Sequence, residues 1–159
     1  MHLLDVVTIL CMGLMIGNEL AVSLFMNPAI WQLDEGAQTK ALSLLARSLG
    51  SVMPFWYALC LMLLLVETYI RRGGPTFNLL LSAVVIWAAI IACTILVLVP
   101  INKRIASLSP ASLPAQWRHD HKRWDKLHRW RILFLIVAML LLTYGLLSAG
   151  VLAQLASVG

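Results

Sequence analysis

A row of aromatic and basic side chains marks the chain between residues 117 and 135. Plotted on a helix at about 100° per residue, six residues fall within an arc of roughly 80°: Trp117, His121, Trp124, His128, Arg131 and Leu135. The basic residues between them point the other way: Arg118, Lys122, Lys126 and Arg129. An imidazole beside a cation and aromatic rings can act as a general base. It can equally be a metal ligand or an amphipathic residue at a membrane surface.

Two polar residues, Asn18 and Glu19, lie inside an apolar run near the start of the chain. A carboxylate at the centre of a bilayer costs about 3 kcal/mol on insertion scales, so such residues usually face the helix bundle and mark a site or a pathway. Glu19 lies seven residues from the predicted end of its helix, which corresponds to about 10 Å. It either belongs to a site or ties helices together as a hydrogen-bonded carboxyl.

Asparagines occur at the ends of two apolar runs. Asn27 precedes Pro28, and this pair predicts the end of the first helix. Asn102 follows Val99-Pro100-Ile101 at about the level of His128, where it can cap the helix or belong to the site. Both asparagines are therefore expected at the membrane face that carries His128.

The histidines and cysteines do not form a recognisable metal or redox motif. His121 and His128 are seven residues apart, about 10.5 Å along one helix, so they cannot bind one haem iron from both faces. Cys11, Cys60 and Cys93 are odd in number and lie in apolar runs, which favours simple packing. A site without cofactor is favoured, whereas haem or copper bound through His128 remains an alternative.

The composition defines the environment in which these residues must work. Hydrophobic residues make up 61% of the 159 residues and charged residues only 12%, far from the composition of a soluble protein. Each of four apolar runs is long enough to cross a bilayer, which needs about 20 helical residues: roughly 3–26, 52–70, 77–99 and 132–155. The sequence predicts an all-α, integral membrane four-helix bundle, with residues 1–159 in a single domain.

The basic residues predict the orientation of this bundle. Ten of the twelve Lys and Arg lie in the first and third loops, 27–51 and 100–131, and two lie in the second. The positive-inside rule then places loops one and three in the cytoplasm and both termini outside, so no nucleic-acid partner is needed to explain the charge. We expect an interfacial helix in loop one that leads to a kink or restart at Pro54, and a fourth helix that extends into the cytoplasm.

Two weaker patterns concern contacts between helices. Gly13 and Gly17 form a G-x-x-x-G pair, which permits a close helix crossing within the bundle or in a homo-oligomer. Glu67 and Arg71 are spaced i,i+4 at the extracellular edge, and we interpret them as a structural ion pair.

Four segments, in order along the chain, resemble the anthrone oxygenase-like family: Asn18-Glu19-Leu20 through Ser23 to Asn27-Pro28, Met53-Pro54, Pro100-Ile101-Asn102, and Trp124-Asp125-Lys126-Leu127-His128 with Arg131. The resemblance covers nearly the whole chain. It implies a small four-helix membrane protein and oxygenase-type oxidoreductase chemistry, assigned to fungal members of polyketide pathways, whereas most bacterial members have no known function. We expect a multi-pass protein of a bacterial inner membrane.

The resemblance also implies roles for the polar residues. The methylene of an anthrone is acidic, because loss of a proton gives an aromatic-stabilised anion that can reduce dioxygen. His128 would accept this proton and Arg131 and Asn102 would stabilise the oxyanion. Glu19 would orient His128 or carry protons, if a kink or re-entrant loop closed the vertical gap between them. The expected substrate-binding residues are Asn18, Asn27, Trp31, Trp117, His121 and Trp124.

A different class of function uses the same residues. A membrane module without catalytic activity could bind haem or a metal, a lipid head group or a partner subunit through the same polar and aromatic face. Substrate, cofactor and partner therefore stay open at this point, whereas the four spans follow from composition alone.

Overall fold

The computed structural model describes residues 3–109 and 113–156, the last six for their backbone only. Four helices account for almost all of them: α1 Leu3–Ile30, α2 Glu35–Ile70, α3 Phe77–Ala106 and α4 Trp117–Ala156. Each is long and apolar enough to cross a membrane, and the described residues form no strand. The chain is thus a multi-pass integral membrane protein built as an all-α four-helix bundle. Residues 110–112 of the predicted third loop lie outside the described residues.

The helices pack as a ring in which each contacts two neighbours. α1 packs against α2 and α4, and α3 packs against the same two helices. One apolar cluster fills the bundle toward the chain termini, with Met12, Tyr57, Trp87 and Leu135 among its buried residues. A second cluster at the opposite end joins α1, α2, α3 and the start of α4: Ile30, Leu42, Ala46, Ile101, Ile105, Leu108 and Trp117. The core is therefore divided along the bundle axis.

The predicted helix end at Asn27-Pro28 is wrong, because α1 continues to Ile30. A π-helical turn, Val22–Met26, precedes the proline, and the Asn27 N–H donates to the carbonyl of Val22. Pro28 then occupies the first turn of the next α-helical segment, where its missing N–H costs least. The widened turn thus accommodates the proline without ending the helix.

α3 uses the same device before Pro100. The π-helical turn Thr94–Leu98 ends with the Val99 N–H donating to the carbonyl of Thr94, and Pro100 begins the following α-helical segment. Each π turn widens its helix at the level between the two apolar clusters. Turns of this kind occur frequently at functional sites, because the extra residue redirects side chains.

The predicted interfacial helix of loop one forms, but it is continuous with the second span. α2 begins at Glu35, where the Asp34 side chain caps the helix by accepting from the Ala37 N–H at 2.9 Å. Pro54 lies inside α2 and does not restart it. Proline lacks an N–H, so the carbonyl of Gly50, one turn earlier, loses its usual helical donor at this point.

α4 confirms the predicted extension of the fourth helix. Its 40 residues span about 60 Å, roughly twice the hydrocarbon thickness of a bilayer. The predicted faces are also confirmed: Trp117, His121, His128 and Leu135 are buried, whereas the basic residues of the other face are exposed: Arg118, Lys122, Lys126 and Arg129.

A pair of salt bridges near the chain termini joins α1 to α2. Arg71 bonds Glu67, as predicted, and it also contacts Asp5 with Nη2 and Oδ1 2.6 Å apart. Thr8 donates to the Glu67 carboxylate at 3.2 Å. Asp5 and Glu67 are both buried, so Arg71 offsets the cost of placing two carboxylates away from water.

The small residues of α1 face different environments. A Cβ on Gly13 would lie 3.8 Å from Met139 of α4, so Gly13 faces another helix of the bundle. Gly17 is exposed and has open space around it. The homo-oligomer contact stays a prediction. Cys11 and Cys60 are free thiols whose sulphur atoms approach to 3.7 Å in the apolar core.

Candidate functional site

Glu19, His128 and Arg131 meet in the interior of the bundle, and we call these three residues the ion cluster. Arg131 Nη2 donates to Glu19 Oε2 at 2.5 Å and lies 2.8 Å from His128 Nδ1. Tyr57 donates its hydroxyl to Glu19 Oε1 at 3.0 Å, and the Arg131 guanidinium lies 5.5 Å from its ring centre. Glu19 and His128 are only 3% and 1% exposed, so this is a desolvated network.

The hydrogen bonds define the tautomer of His128. Its Nε2 lies 3.2 Å from the backbone carbonyl of Glu19, which can only accept, so Nε2 carries the proton. In the neutral ring, Nδ1 is then an acceptor for Arg131. Glu19 Oε2 lies 3.1 Å from the same Nδ1 and would accept from it once the ring is protonated. His128 thus has a hydrogen-bond partner in either charge state.

The vertical gap expected between Glu19 and His128 does not exist. Glu19 lies eleven residues before the end of α1 at Ile30, and His128 lies eleven residues after the start of α4 at Trp117. The two side chains therefore lie at the same level, and neither a kink nor a re-entrant loop is needed. The expected gap came from ending α1 at residue 26 and starting the fourth span at residue 132.

The ion cluster lies in the wall of a cavity of about 570 Å³, which we call the large cavity. The cavity lies between the two apolar clusters and borders both, because its wall on α2 includes Ala46 of the second cluster and Tyr57 of the first. Both π turns contribute to the wall, through Val22 and Thr94. The wall is mostly apolar, so the charged groups stand out within it.

Two predicted asparagines also line the large cavity: Asn18, which directly precedes Glu19, and Asn102. Asn18 donates to the sulphur of Met53 at 3.5 Å. Asn102 donates from Nδ2 to the backbone carbonyl of Ala46 at 3.2 Å, which ties α3 to α2. A Cβ on Gly50 would lie 3.2 Å from that amide nitrogen, so the glycine allows Asn102 to approach closely.

The aromatic residues form a row that leads away from the ion cluster. Trp124 stacks on His128 with ring centres 4.5 Å apart and planes inclined by 13°. His121 follows at 6.4 Å from Trp124, and Trp31 at 5.0 Å from His121. Trp124 lines the large cavity, whereas Trp31, Trp117 and His121 lie beyond that wall, nearer the second apolar cluster.

A small cavity of about 40 Å³ shares Trp124 and Asn102 with the large one and is also lined by Asn27 and His121. Asn27 Nδ2 donates to Asp125 Oδ1 at 2.9 Å, which joins α1 to α4. Among the described residues, neither ring nitrogen of His121 has a partner, although the ring is only 1% exposed. The structure thus separates Asn27 and His121 from the ion cluster.

Sequence reasoning did not single out Tyr57 or Asp125. Tyr57 is a polar residue within an apolar run, and the rule that selected Glu19 would also have selected it. Asp125 pairs with Arg129 at 2.8 Å and accepts from Asn27, which no spacing rule reveals because Asn27 lies on another helix.

The described part of the chain contains no group of three or more His, Cys, Asp or Glu side chains that could hold a metal. Both ring nitrogens of His128, the first candidate for a haem or copper ligand, contact Glu19 or Arg131. The ring would have to give up one of these contacts to bind an iron or copper ion.

Together these features define a class: a four-helix membrane protein with a carboxylate, an imidazole and a guanidinium in the wall of a cavity between its helices. The family model described as anthrone oxygenase matches residues 42–141, and the chain belongs to this family. The matched range includes Tyr57, His128 and Arg131, whereas Glu19 precedes it. Comparisons with curated proteins and with solved structures found no match. Membership supports an oxygenase-type function.

Proposed function

We propose that the protein is a membrane-embedded oxygenase that oxidises a planar, lipophilic aromatic substrate with an acidic methylene, of the anthrone type, using dioxygen. One observation carries the proposal: the buried ion cluster and Tyr57 lie together in the wall of an otherwise mostly apolar cavity of about 570 Å³. An apolar slot with a few convergent polar groups is the usual form of a small-molecule site. The family match supports the same reaction class.

The reaction needs a base and dioxygen. A base removes one proton from the methylene, and the resulting carbanion is stabilised as a phenolate-like oxyanion. Dioxygen takes up the electrons at that carbon and forms a carbon–oxygen bond. Loss of the second hydrogen and cleavage of the oxygen–oxygen bond then give a ketone that retains one oxygen atom, while the other leaves as water. Each turnover therefore consumes one dioxygen and converts a methylene into a carbonyl.

The base is assigned to Glu19 and His128 acting as a pair. The carboxylate of Glu19 lines the cavity and lies 3.1 Å from His128 Nδ1, so a proton taken from substrate can pass to the ring. Protonation would replace the bond from Arg131 to Nδ1 by a bond from Nδ1 to Glu19. This assignment keeps His128 as the final proton acceptor and makes Glu19 the group that meets the substrate.

Stabilisation of the oxyanion is assigned to Arg131 and Asn102. A guanidinium has five N–H donors, and Arg131 uses Nη2 in the ion cluster, which leaves donors for a ligand. The amide of Asn102 has two N–H groups and the bond to Ala46 uses one of them. Preorganised donors of this kind stabilise a developing negative charge most strongly where water is excluded.

The position of the cavity along the bundle indicates which membrane face the site is near. It lies in the half of the bundle that carries loops one and three, which contain ten of the twelve Lys and Arg. The positive-inside rule supports a cytoplasmic location for this half. The membrane itself is proposed to be a bacterial inner membrane. A lipophilic substrate could then reach the site from the bilayer or from the cytoplasm.

Oxygen uptake by the purified protein with an anthrone tests the proposal against the uncatalysed background. We expect Glu19→Gln and His128→Phe to lose activity, because each variant lacks one of the two side chains that remove the proton. His119→Ala should retain it, since His119 is exposed and lies on another face of α4. Wild-type protein that does not exceed the background, or a fully active Glu19→Gln variant, would refute the proposal.

An absorption spectrum of the same preparation tests the non-enzymatic class. A Soret band that disappears in His128→Phe would indicate bound haem and contradict the assignment of His128 as a proton acceptor. Unchanged oxygen uptake after treatment with a chelator is the result expected for a site in which protein side chains supply the base.

A further inference from the structure

The charges in the wall of the large cavity do not balance. Four charged side chains line it: Glu19, Arg47, Lys103 and Arg131. Glu19 and Arg131 neutralise each other through their 2.5 Å contact. Arg47 and Lys103 remain, and no described acidic residue forms an ion pair with either. Both side chains are also exposed, so the cavity carries two uncompensated positive charges at an accessible part of its wall, beside its apolar surface.

Arg47 is held in place at the end of the cavity. Its Nε donates to the carbonyl of Ala106 at 2.9 Å, and Ser43 donates to the same oxygen at 2.8 Å. Within the described residues, that bond is the only one Arg47 makes, so its two terminal nitrogens are available to a ligand. Two parallel N–H groups of a guanidinium fit a carboxylate or phosphate well.

The two cations lie apart from the ion cluster. Arg47 precedes Tyr57 by ten residues on α2, which corresponds to about 15 Å along the helix. Lys103 lies one residue after Asn102 on α3, and both line the cavity. The cavity thus has an acid–base end at Glu19 and a cationic end at Arg47, with apolar side chains such as Leu49 and Met53 between them.

We infer that the substrate is an amphiphilic anion: an apolar ring system whose reacting carbon lies near Glu19 and whose carboxylate or similar acidic group binds Arg47 and Lys103. This inference rests on the proposed function and narrows its substrate class. An anion at this end gains charge-assisted hydrogen bonds and is kept away from the Glu19 carboxylate. An anionic lipid head group offers the same chemistry, and the experiment separates the two sources.

The test is a comparison of binding by two unreactive planar probes. Anthraquinone-2-carboxylate and the neutral 2-methylanthraquinone are titrated into the full-length protein in a neutral detergent, and binding is followed by tryptophan fluorescence. Trp124 lies in the cavity wall, so a probe bound in the cavity should quench its fluorescence. We expect the carboxylate to bind at least about tenfold more tightly, the effect of one charge-assisted hydrogen bond.

Charge variants identify the residues responsible. The double substitution Arg47→Gln with Lys103→Gln should reduce the affinity for the carboxylate to that for the neutral probe. The matched control is Arg123→Gln with Lys126→Gln, which removes the same charge from exposed positions of α4 outside the wall and should leave both affinities unchanged. Equal affinities for the two probes, or equal losses in the two double variants, would overturn the inference.

Competition by lipid distinguishes the source of the anion. Added phosphatidylglycerol, an anionic lipid, should displace the carboxylate probe no better than the zwitterionic phosphatidylcholine does. Selective displacement by phosphatidylglycerol would show that the cationic end binds a lipid head group, and would overturn the inference that the substrate is an anion. The binding data are independent of turnover. Tight carboxylate binding without oxygen uptake would therefore refute the proposed oxygenase alone, whereas uptake with no preference for the acid would refute only the inference.

Discussion

Removal of Arg131 should destabilise the protein far more than removal of another arginine on the same helix. Among the described residues, Arg131 is the only Lys or Arg that contacts the buried carboxylate of Glu19, and its side chain is 11% exposed. Breaking a buried ion pair by removing one partner costs about 3–5 kcal/mol, because the remaining charge is left without compensation. For a chain of this length, such a loss lowers the thermal midpoint by roughly 6–20 °C.

Arg129 provides the matched control. It pairs with Asp125 at 2.8 Å on the same helix, but its side chain is 62% exposed. Exposed pairs contribute only about 0.2–1 kcal/mol. The measurement is thermal unfolding of Arg131→Met and Arg129→Met in one detergent, followed by intrinsic fluorescence. Similar midpoints for the two variants would refute the view that Glu19 depends on Arg131 for its charge balance.

The double variant Glu19→Gln with Arg131→Met makes the test stricter. If the cost of Arg131→Met comes from an uncompensated carboxylate, replacing that carboxylate by an uncharged amide should recover part of the lost stability. The double variant should therefore unfold at a higher temperature than Arg131→Met alone. Additive losses would show that the two side chains contribute independently, which would contradict the contact as the origin of the effect.

Two further predictions concern the replacement of histidine or tyrosine side chains by phenylalanine. His121→Phe should leave the thermal midpoint unchanged or raise it, because the buried ring loses no hydrogen-bond partner among the described residues. His128→Phe should cost about 1–3 kcal/mol, because it removes the bonds that the ring forms with Arg131 and with the Glu19 carbonyl. Equal midpoints for the two variants in a thermal unfolding scan would contradict this prediction. Tyr57→Phe removes the hydroxyl that donates to Glu19. The variant should take up oxygen roughly tenfold more slowly, with unchanged affinity for the two anthraquinone probes. An unchanged rate would exclude a role for the hydroxyl in turnover.

The four helices could be predicted from the sequence because length and composition alone decide whether a segment can cross a bilayer. The face of α4 could also be predicted, since the spacing of Trp117, His121 and His128 fixes their direction on any straight helix. The ends of the helices were harder to predict from the sequence. Pro28 was interpreted as a stop and the third apolar run was ended at residue 99, whereas a π turn before Pro28 and before Pro100 lets each helix continue.

The residue types of the candidate site could be predicted from the sequence, but the contacts between those residues could not. Glu19, His128 and Arg131 were each chosen for their chemistry, and the structure brings all three together. Their contact depends on how far α1 and α4 extend beyond the apolar runs, and the apolar pattern does not report that distance. Asn27 and Asp125 illustrate the same limit, because their hydrogen bond joins residues 98 positions apart.

A bundle of this size could have filled its centre with apolar side chains. Instead, the core is interrupted at one level by a cavity, and that level also holds the buried carboxylate, the two π turns and the close approach of Gly50 to Asn102. The cavity lowers the packing density and the buried carboxylate carries a desolvation cost, so both lower the stability of the bundle. Their coincidence at one level is what a binding site requires, because a ligand in the cavity would replace the missing contacts and neutralise the remaining charge.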